Sequence, residues 1–354
     1  MSLQRKTAIG LEVALLRTRI CSTTPRSYRS CQTYHQSSIP GKSSPFSSPK
    51  LRASQQHISL SSKSLRLSRG TMSASAANLT VKEQAALVEK SKRAAAFQAV
   101  EDYLQPLYRH VGIGSGSTVV YVVEAIAAIG TEVTSKMCFY PTGEQSRQLI
   151  LKAGLRLAYI QDLPAGEVLD VAFDGADEVD EELNLIKGGG ACLTQEKIVA
   201  ASARKFVCVA DFRKISPRLG TVWTQGVPIE VLPMAAGRVL AELTLMGSIN
   251  PRIRPGLPGK AGPVVTDNGM LIIDAPFTPL LLAKDMSDGK EGTWTVDSLA
   301  QRLISIVGVV EIGLFHGKNG DEIVNGAGAQ KPVAAYFGLQ DGNVEVRKAK
   351  GSSQ

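Results

Sequence analysis

Leu169–Asp180 reads LDVAFDGADEVD, and this stretch indicates the fold class. Its first half is apolar apart from one acid and ends at Asp174, which is typical of a central strand in a parallel sheet. Ligands of open α/β sheets bind beyond the carboxyl ends of such strands, and Gly175 lets the backbone turn so that two carboxylates face one point. We therefore interpret Asp174 and Asp177 as candidate site residues. The alternative is a solvated acidic loop in which Asp177 caps a helix.

Strand-like and helix-like patterns alternate on both sides of this stretch. The predicted helices are Val81–Arg109, Val119–Ile129, Glu144–Lys152 and Gln195–Lys205. The predicted strands are Val111–Ile113, Lys136–Tyr140, Leu169–Phe173 and Phe206–Ala210. This alternation predicts an α/β fold with a doubly wound, mostly parallel sheet.

The pattern changes after about residue 221. The predicted elements there are the strand Pro228–Val231, the helix Gly237–Leu245, a hairpin across Val264–Ile273 that turns at Asn268-Gly269, the helix Val296–Ile304 and the strand Val309–Phe315. A hairpin with two helices predicts a smaller α+β lobe, and residues 334–346 could return to the first lobe. We expect an α/β domain over residues 81–221 and 316–350, and a small domain over 222–315.

The charge of the chain is unevenly distributed. The 354 residues carry a formal net charge of +8, but residues 1–80 hold twelve Lys or Arg and a single acid, Glu12. The remaining 28 basic and 31 acidic residues leave the predicted body slightly acidic, so we expect no nucleic-acid or membrane partner. No uninterrupted apolar stretch is long enough for a transmembrane helix.

Residues 1–80 are rich in Ser and Arg and contain no acid after Glu12. This composition is typical either of a disordered extension or of a transit peptide. Met72 could serve as an internal start. We expect a cytoplasmic protein with a disordered extension; the alternative is a mitochondrial protein whose extension is a cleaved signal.

Cysteine and histidine give no sign of a metal site. Cys138, Cys192 and Cys208 are scattered without a CxxC pair, which favours buried thiols in a reducing compartment. His110 and His316 have no second metal ligand at a useful spacing. The chain also lacks the GxGxxG dinucleotide pattern and the GxxxxGK[ST] loop, so we predict neither a metal nor a cofactor.

Gly112–Thr118 reads GIGSGST and stands between a predicted strand and a predicted helix. Glycines let the backbone approach a ligand, and N–H groups at a helix N-terminus favour an anion. Ser115, Ser117 and Thr118 add hydroxyl donors on either side of Gly116. The loop is therefore a candidate phosphate site; the alternative is a plain tight turn.

A second glycine loop begins at Lys187, which three consecutive glycines follow. Exposed N–H groups there could hold an oxyanion, with Lys187 as the counter-charge. Thr194 suits an N-cap, which places Glu196 in the first turn of a helix. Glu196 is either a base or a simple complement to the helix dipole, because a helix N-terminus lowers a carboxyl pKa and burial raises it.

Lys214 follows the predicted strand Phe206–Ala210, so it could reach a substrate phosphate or carboxylate; the alternative is a surface loop. One sheet edge thus collects a phosphate-type loop, paired carboxylates, a lysine beside glycines and a glutamate. This set suits proton abstraction next to a carbonyl on a phosphorylated small molecule. A carboxylate would move the proton, while lysine and N–H donors would hold the enediolate oxygen.

Several stretches, in chain order, resemble the ribose-5-phosphate isomerase A family. They are VGIGSGSTVV (111–120), PTGEQSRQLI (141–150), DVAFDGADEVDEELNLIKGGGACLTQEKIVA (170–200), VCVADFRK (207–214), VPIEVLPMA (227–235), AGPVVTDNGMLIID (261–274) and GVVEIGLF (308–315). The resemblance runs from about residue 82 to 350. It implies a nucleotide-binding-like parallel sheet with helices on both faces and a smaller ferredoxin-like α+β lobe. It also implies a homodimer or homotetramer that needs no metal or cofactor.

The same resemblance implies that the protein interconverts ribose 5-phosphate and ribulose 5-phosphate through a cis-enediolate, in the non-oxidative pentose phosphate pathway. Glu196 would shuttle the proton between C1 and C2. Asp174 and Asp177 would contact the sugar hydroxyls and assist ring opening, and Lys187 would steady the oxyanion. The implied substrate-binding residues are Ser115, Gly116, Ser117, Thr118, Gly175, Ala176, Gly188, Gly189, Gly190 and Lys214.

Two other functions are compatible with such a fold. A non-catalytic sugar-phosphate sensor would carry a DNA-binding domain, and none is visible in the sequence. Another enzyme of the same superfamily, such as a lactonase, a deaminase or a CoA transferase, is the second alternative. A transferase would use Glu196 as a nucleophile, which a CoA-dependent exchange assay would detect.

Overall fold

The computed structural model describes residues 80–285, 292–324 and 327–349. Apart from Thr80, the predicted extension 1–80 lies outside them. The α-helices of this part are α1 (Val81–Tyr103), α2 (Val119–Ala128), α3 (Thr131–Thr134), α4 (Glu144–Lys152), α5 (Leu193–Ala201), α6 (Ala236–Leu245) and α7 (Val296–Ile304). None of these helices has the length and apolarity needed to cross a membrane.

The strands fall into three sheets. They are β1 (His110–Ile113), β2 (Cys138–Pro141), β3 (Leu169–Asp174), β4 (Glu178–Val179), β5 (Leu185–Ile186), β6 (Ala203–Asp211), β7 (Val227–Val231), β8 (Arg252–Ile253), β9 (Leu271–Ala275), β10 (Val309–Ile312), β11 (Leu314–Phe315), β12 (Ala334–Gly338) and β13 (Val344–Lys348). The sheet orders are β13-β12-β6-β3-β1-β2, β10-β7-β9-β8 and β11-β5-β4.

The six-stranded sheet is the doubly wound sheet that the sequence predicts. Its neighbouring strands run parallel except for β12 and β13, which pair antiparallel. Side chains alternate between the two faces of a strand. Val171 and Phe173 of β3 accordingly pack with α1 and α2 on one face, whereas Ala172 packs with Val199 of α5 on the other. Because β12 lies beside β6, the C-terminal segment returns to this sheet.

The four-stranded sheet is antiparallel and carries its own core. Leu243 of α6 and Leu299 of α7 are fully buried against Ile229 of β7 and Ile273 of β9. These elements form a smaller α+β lobe. Its exact limits, residues 222–315, stay a prediction.

Two predicted helices extend too far. α1 ends at Tyr103 rather than Arg109, because Pro106 lacks an N–H group and disfavours the helical conformation in the residue before it. α5 ends at Ala201 rather than Lys205, and Ala203 already pairs with Leu169 in the sheet. Pairing with a central strand here outweighs the helix propensity of the local sequence.

Two predicted strand patterns also need correction. The Asn-Gly turn forms, but within the described residues its first arm bridges the second only between Val265 and Leu271, and the Val264 N–H donates to the Arg254 carbonyl at 2.9 Å instead. The predicted strand Val309–Phe315 is split into β10 and β11, which belong to different sheets. Gly313, between these two strands, links the sheets, because its N–H donates to the Pro228 carbonyl of β7 at 2.7 Å and its carbonyl accepts from the Lys187 N–H after β5 at 2.9 Å.

Gly338→Ala tests the packing of the C-terminal strand β12 on α1. A Cβ atom at Gly338 would lie 1.8 Å from the Ser91 carbonyl oxygen, so we expect the free energy of unfolding to fall by about 1–3 kcal/mol. Gly237→Ala is the control, because a Cβ there meets nothing within 4 Å. Urea unfolding measures both variants, and equal midpoints for the two would contradict this packing.

Candidate active site

The carboxyl ends of β1, β3 and β6 meet at one edge of the larger sheet, where a cavity of about 270 Å³ opens. Its lining includes every sequence-predicted site residue except Asp174. The lining residues are Ser115, Gly116, Ser117, Thr118, Gln145, Gly175, Ala176, Asp177, Lys187, Gly188, Gly189, Gly190, Cys192, Glu196, Asp211, Arg213 and Lys214. The topology therefore brings the three predicted motifs to one place.

The first glycine loop is tied to β3 by backbone hydrogen bonds. Gly114 donates to the Phe173 carbonyl at 2.8 Å, and the Ser115 N–H donates to Asp174 Oδ1 at 3.0 Å. A Cβ atom at Gly114 would lie 2.0 Å from that same oxygen, so glycine is required for this approach. The Gly116 N–H donates to Gln145 Oε1 at 2.8 Å, which links the loop to α4.

Lys187 forms the centre of a buried charge cluster. Its Nζ lies 2.9 Å from Asp174 Oδ2 as an ion pair without the angles of a hydrogen bond. It donates to Glu196 Oε1 at 3.1 Å and to the Gly175 carbonyl at 2.7 Å. Burial acts to lower the pKa of Lys187, but the two carboxylates outweigh it and raise that pKa above its ordinary value. Lys187 is therefore a permanent cation.

Glu196 lies in the first turn of α5 and is only 6% exposed. Burial raises the pKa of its carboxyl above the usual range, the Lys187 ammonium opposes the rise, and the Asp174 carboxylate adds to it. Burial therefore outweighs the Lys187 ammonium, and the pKa is raised although Glu196 lies in the first turn of the helix. Its second oxygen, Oε2, is buried and has no hydrogen-bond partner in the described structure. One oxygen of Glu196 is thus fixed and the other is available.

Asp174 and Asp177 have different surroundings. Asp174 is almost fully buried, and its Oδ1 accepts from the N–H groups of Ser115 and Gly175. Asp177 lines the cavity, and its Oδ2 accepts from the Gly189 N–H at 2.7 Å. Asp177 therefore does not cap a helix. It connects the acidic loop to the second glycine loop.

Arg213 and Lys214, two cations of the cavity lining, also differ in their surroundings. Arg213 is held by Asp211, with its Nε 2.7 Å from Oδ1 and a second nitrogen 2.9 Å from Oδ2. Lys214 makes no ion pair within the described residues, and its Nζ lies 5.5 Å from the centre of the Trp223 ring. Lys214 is therefore the cation available to a ligand.

The structure corrects the N-cap of α5. Cys192, not Thr194, occupies the N-cap, and the Thr194 hydroxyl instead donates to Glu230. Glu230 is fully buried and also accepts from the Thr266 hydroxyl at 2.6 Å and from the Asn268 side chain at 3.0 Å. The sequence offered one signal for this cluster, an acid in the otherwise apolar strand β7.

Arg254 is a second residue that the sequence motifs did not reveal. It donates to the carbonyls of Gly188 and Gly189 and pairs with the buried Asp274. It lies just before the Gly/Pro-rich stretch Gly256–Gly262, and no motif of the sequence marks it.

Among the residues described here, no three His, Cys, Asp or Glu side chains stand close enough to hold a metal ion. Cys138, Cys192 and Cys208 are free thiols. Burial raises the pKa of the Cys192 thiol, which lines the cavity, to about 11, so it is protonated at neutral pH. The cavity therefore offers carboxylates, ammonium groups and N–H donors rather than thiolate chemistry.

Lys187→Met tests the charge cluster through its pH dependence. The variant leaves the carboxyls of Asp174 and Glu196 buried without a cation, so at pH 8 we expect it to lose about 3–5 kcal/mol of unfolding free energy. Burial already raises the pKa of Glu196, and without the opposing Lys187 ammonium that pKa stays above its unfolded value, so the loss should shrink at pH 5, where Glu196 is protonated. Urea unfolding at both pH values measures the difference.

The matched control is Lys284→Met, which removes a lysine from a surface pair with Glu181 whose side chains are 61% and 52% exposed. We expect no measurable change, because exposed ion pairs contribute little. A pH-independent loss in Lys187→Met would contradict the cluster.

Known proteins that resemble this chain in sequence carry the name of one enzyme family. The family model for Ribose 5-phosphate isomerase A (phosphoriboisomerase A) matches residues 138–329. The ribose-5-phosphate isomerase of Eremothecium gossypii is 51% identical over 266 residues, which cover 73% of this chain and 93% of that protein. That of Mycosarcoma maydis is 48% identical over 267 residues, which cover 75% and 84% of the two chains.

Solved structures resemble this one as well. Ribose 5-phosphate isomerase A of Methanocaldococcus jannaschii has a TM-score of 0.60 and 31% identity over 73% of this chain and 99% of that one. A D-ribose-5-phosphate isomerase in complex with phospho-erythronic acid has a TM-score of 0.61 and 31% identity over 74% and 99%. The predicted α/β fold class is confirmed, and the chain belongs to the ribose 5-phosphate isomerase A family.

Proposed function

We propose that this protein is an aldose–ketose isomerase that interconverts D-ribose 5-phosphate and D-ribulose 5-phosphate, a step of the non-oxidative pentose phosphate pathway. The observation that carries the proposal is the free, buried oxygen of Glu196 beside the Lys187 ammonium, in a cavity that also holds an anion-type loop. Relatives named ribose-5-phosphate isomerase, and one solved with phospho-erythronic acid, support a phosphorylated sugar as the ligand.

The phosphate end of the substrate would bind at the first glycine loop. Ser115, Ser117 and Thr118 supply hydroxyl groups, and the N–H groups of a loop at the start of α2 favour an anion. Lys214 supplies a cation in the lining of the same cavity. This arrangement directs the sugar carbons toward Lys187 and the second glycine loop.

The two aspartates would then have separate roles. Asp177 lines the cavity, so its carboxylate can contact the sugar hydroxyls and assist ring opening. Asp174 does not line the cavity, and it lies within 2.9 Å of Lys187. We therefore assign Asp174 chiefly to holding the Lys187 ammonium in place.

The chemistry needs one base that serves two neighbouring carbons. In the open-chain aldose, Glu196 Oε2 takes the proton from C2, and the C1 carbonyl becomes an enediolate oxygen. Lys187 and the loop N–H groups stabilise this negative charge. Glu196 returns the proton to C1, the O2 proton passes to O1, and C2 becomes the ketose carbonyl. A single base on one face requires the cis-enediolate.

The raised pKa of Glu196 suits this role. A base whose pKa lies close to the working pH abstracts carbon-bound protons more effectively than an ordinary carboxylate. Burial raises the pKa, while Lys187 limits the rise and keeps a useful fraction of the group ionised. Loss of activity on acidification should therefore begin above the ordinary carboxyl range.

We also propose a homodimer or homotetramer in the cytoplasm, with a mitochondrial location as the alternative if residues 1–80 are a transit peptide. Large apolar side chains exposed in the smaller lobe support assembly, among them Met234 and Leu245. Light scattering of the purified protein would give the mass of the assembly.

Glu196→Gln tests the assigned base. The amide cannot accept the proton, so we expect kcat for ribose 5-phosphate to fall at least ~10²-fold with little change in KM. Glu132→Gln on the exposed surface of α3 is the control and should keep the wild-type rate. The measurement is ketose formation by the folded variants; a Glu196→Gln variant with near wild-type turnover would show that another group is the base.

A further inference from the structure

Arg254 reaches from the smaller lobe to the second glycine loop. One of its terminal nitrogens donates to the Gly188 carbonyl at 2.9 Å and to the Gly189 carbonyl at 3.0 Å. Its Nε and its other terminal nitrogen donate to Asp274 at 3.0 and 2.6 Å. The pair is buried, with side-chain exposures of 12% and 2%. Arg254 itself does not line the cavity.

These contacts fix two peptide planes of the loop. In a trans peptide the C=O and the following N–H point in opposite directions, and both peptides here are trans. Because the Gly188 carbonyl faces Arg254, the Gly189 N–H must face away from it. That N–H indeed donates to Asp177, a residue of the cavity wall.

The next peptide follows the same rule. The Gly189 carbonyl also faces Arg254, so the Gly190 N–H points away from Arg254 as well. Gly190 lines the cavity, and its N–H makes no hydrogen bond within the described residues. A free, oriented donor at this place suits the negative oxygen of an enediolate.

We propose that Arg254, held by Asp274, is a positioning residue that orients the second glycine loop so that the Gly189 N–H binds Asp177 and the Gly190 N–H faces the substrate oxygen. The inference rests on the isomerase activity proposed above and adds a residue of the smaller lobe to it. Arg254 acts through the loop and does not touch the substrate. The smaller lobe thereby sets the geometry of an oxyanion site on the larger one.

The guanidinium is required for its shape rather than its charge. Two nitrogens of the planar guanidinium bind the Asp274 carboxylate, and the third nitrogen donates to the carbonyls of Gly188 and Gly189. A lysine ammonium cannot span these partners in the same plane. Arg254→Lys therefore keeps the charge beside Asp274 but releases the peptide planes.

The test compares Arg254→Lys with the wild-type enzyme in turnover and in binding. We expect kcat for ribose 5-phosphate to fall at least ~10-fold, since loss of one oxyanion donor lowers kcat by roughly 10²–10³. Phospho-erythronic acid carries a carboxylate that resembles the planar, charged enediolate, so its affinity should fall in parallel. Inorganic phosphate, which needs only the first glycine loop, should inhibit with an unchanged constant.

Arg302→Met is the matched control, because Arg302 pairs with Glu242 on the surface of the same lobe. It should keep the wild-type kcat and both binding constants. If Arg254→Lys folds poorly, the double variant R254M/D274N, which leaves no unpaired buried charge, replaces it in the same measurements.

Three outcomes for Arg254→Lys would overturn the proposal. The first is an unchanged kcat, and the second is an unchanged affinity for phospho-erythronic acid. The third is an equal loss of affinity for inorganic phosphate, because that would indicate general damage to the fold. The binding measurements need no turnover. If the wild-type protein fails to isomerise ribose 5-phosphate, the proposed function fails while the binding data still report on the loop.

Discussion

The buried ammonium of Lys187 is the interaction on which the site depends. It is 2% exposed, and a buried charge without partners is costly, so Asp174, Glu196 and the Gly175 carbonyl must all reach it. Asp174 ends β3, Lys187 follows β5, and Glu196 lies on α5. The cluster can therefore form only when the six-stranded sheet, the three-stranded sheet that contains β5, and helix α5 are packed together as they are here.

The same cluster gives the two carboxylate oxygens of Glu196 different surroundings. Oε1 accepts from Lys187, whereas Oε2 is buried with no partner in the described part of the chain. A carboxylate with one oxygen fixed and one available is oriented before substrate arrives, which removes part of the entropic barrier. Burial raises the pKa of this carboxyl although it lies in the first turn of α5, which suits the base proposed here. The buried position of Glu196 is therefore part of the proposed mechanism.

Local patterns in the sequence predicted most of the site, because its motifs lie at the carboxyl ends of strands, which a parallel sheet brings to one edge. The sequence did not reveal Glu230 and Arg254, because they reach α5 and the glycine loop from 36 and 66 residues away in the chain. Thr194 was assigned as an N-cap for the same reason, since its partner Glu230 is distant in sequence. The predicted end of helix α5 was wrong because strand pairing at Ala203 outweighed the helix propensity of the local sequence.

In the proposed reaction Glu196 moves a proton, and no hydride shifts between the two carbons. The most direct test is to convert ribose 5-phosphate that carries deuterium at C2 in ordinary water and to locate the label by NMR. Proton transfer through Glu196 predicts ribulose 5-phosphate from which part of the deuterium has been lost to water, since a carboxylic acid exchanges with solvent. Complete retention of the label at C1, or no ketose at all, would contradict the account.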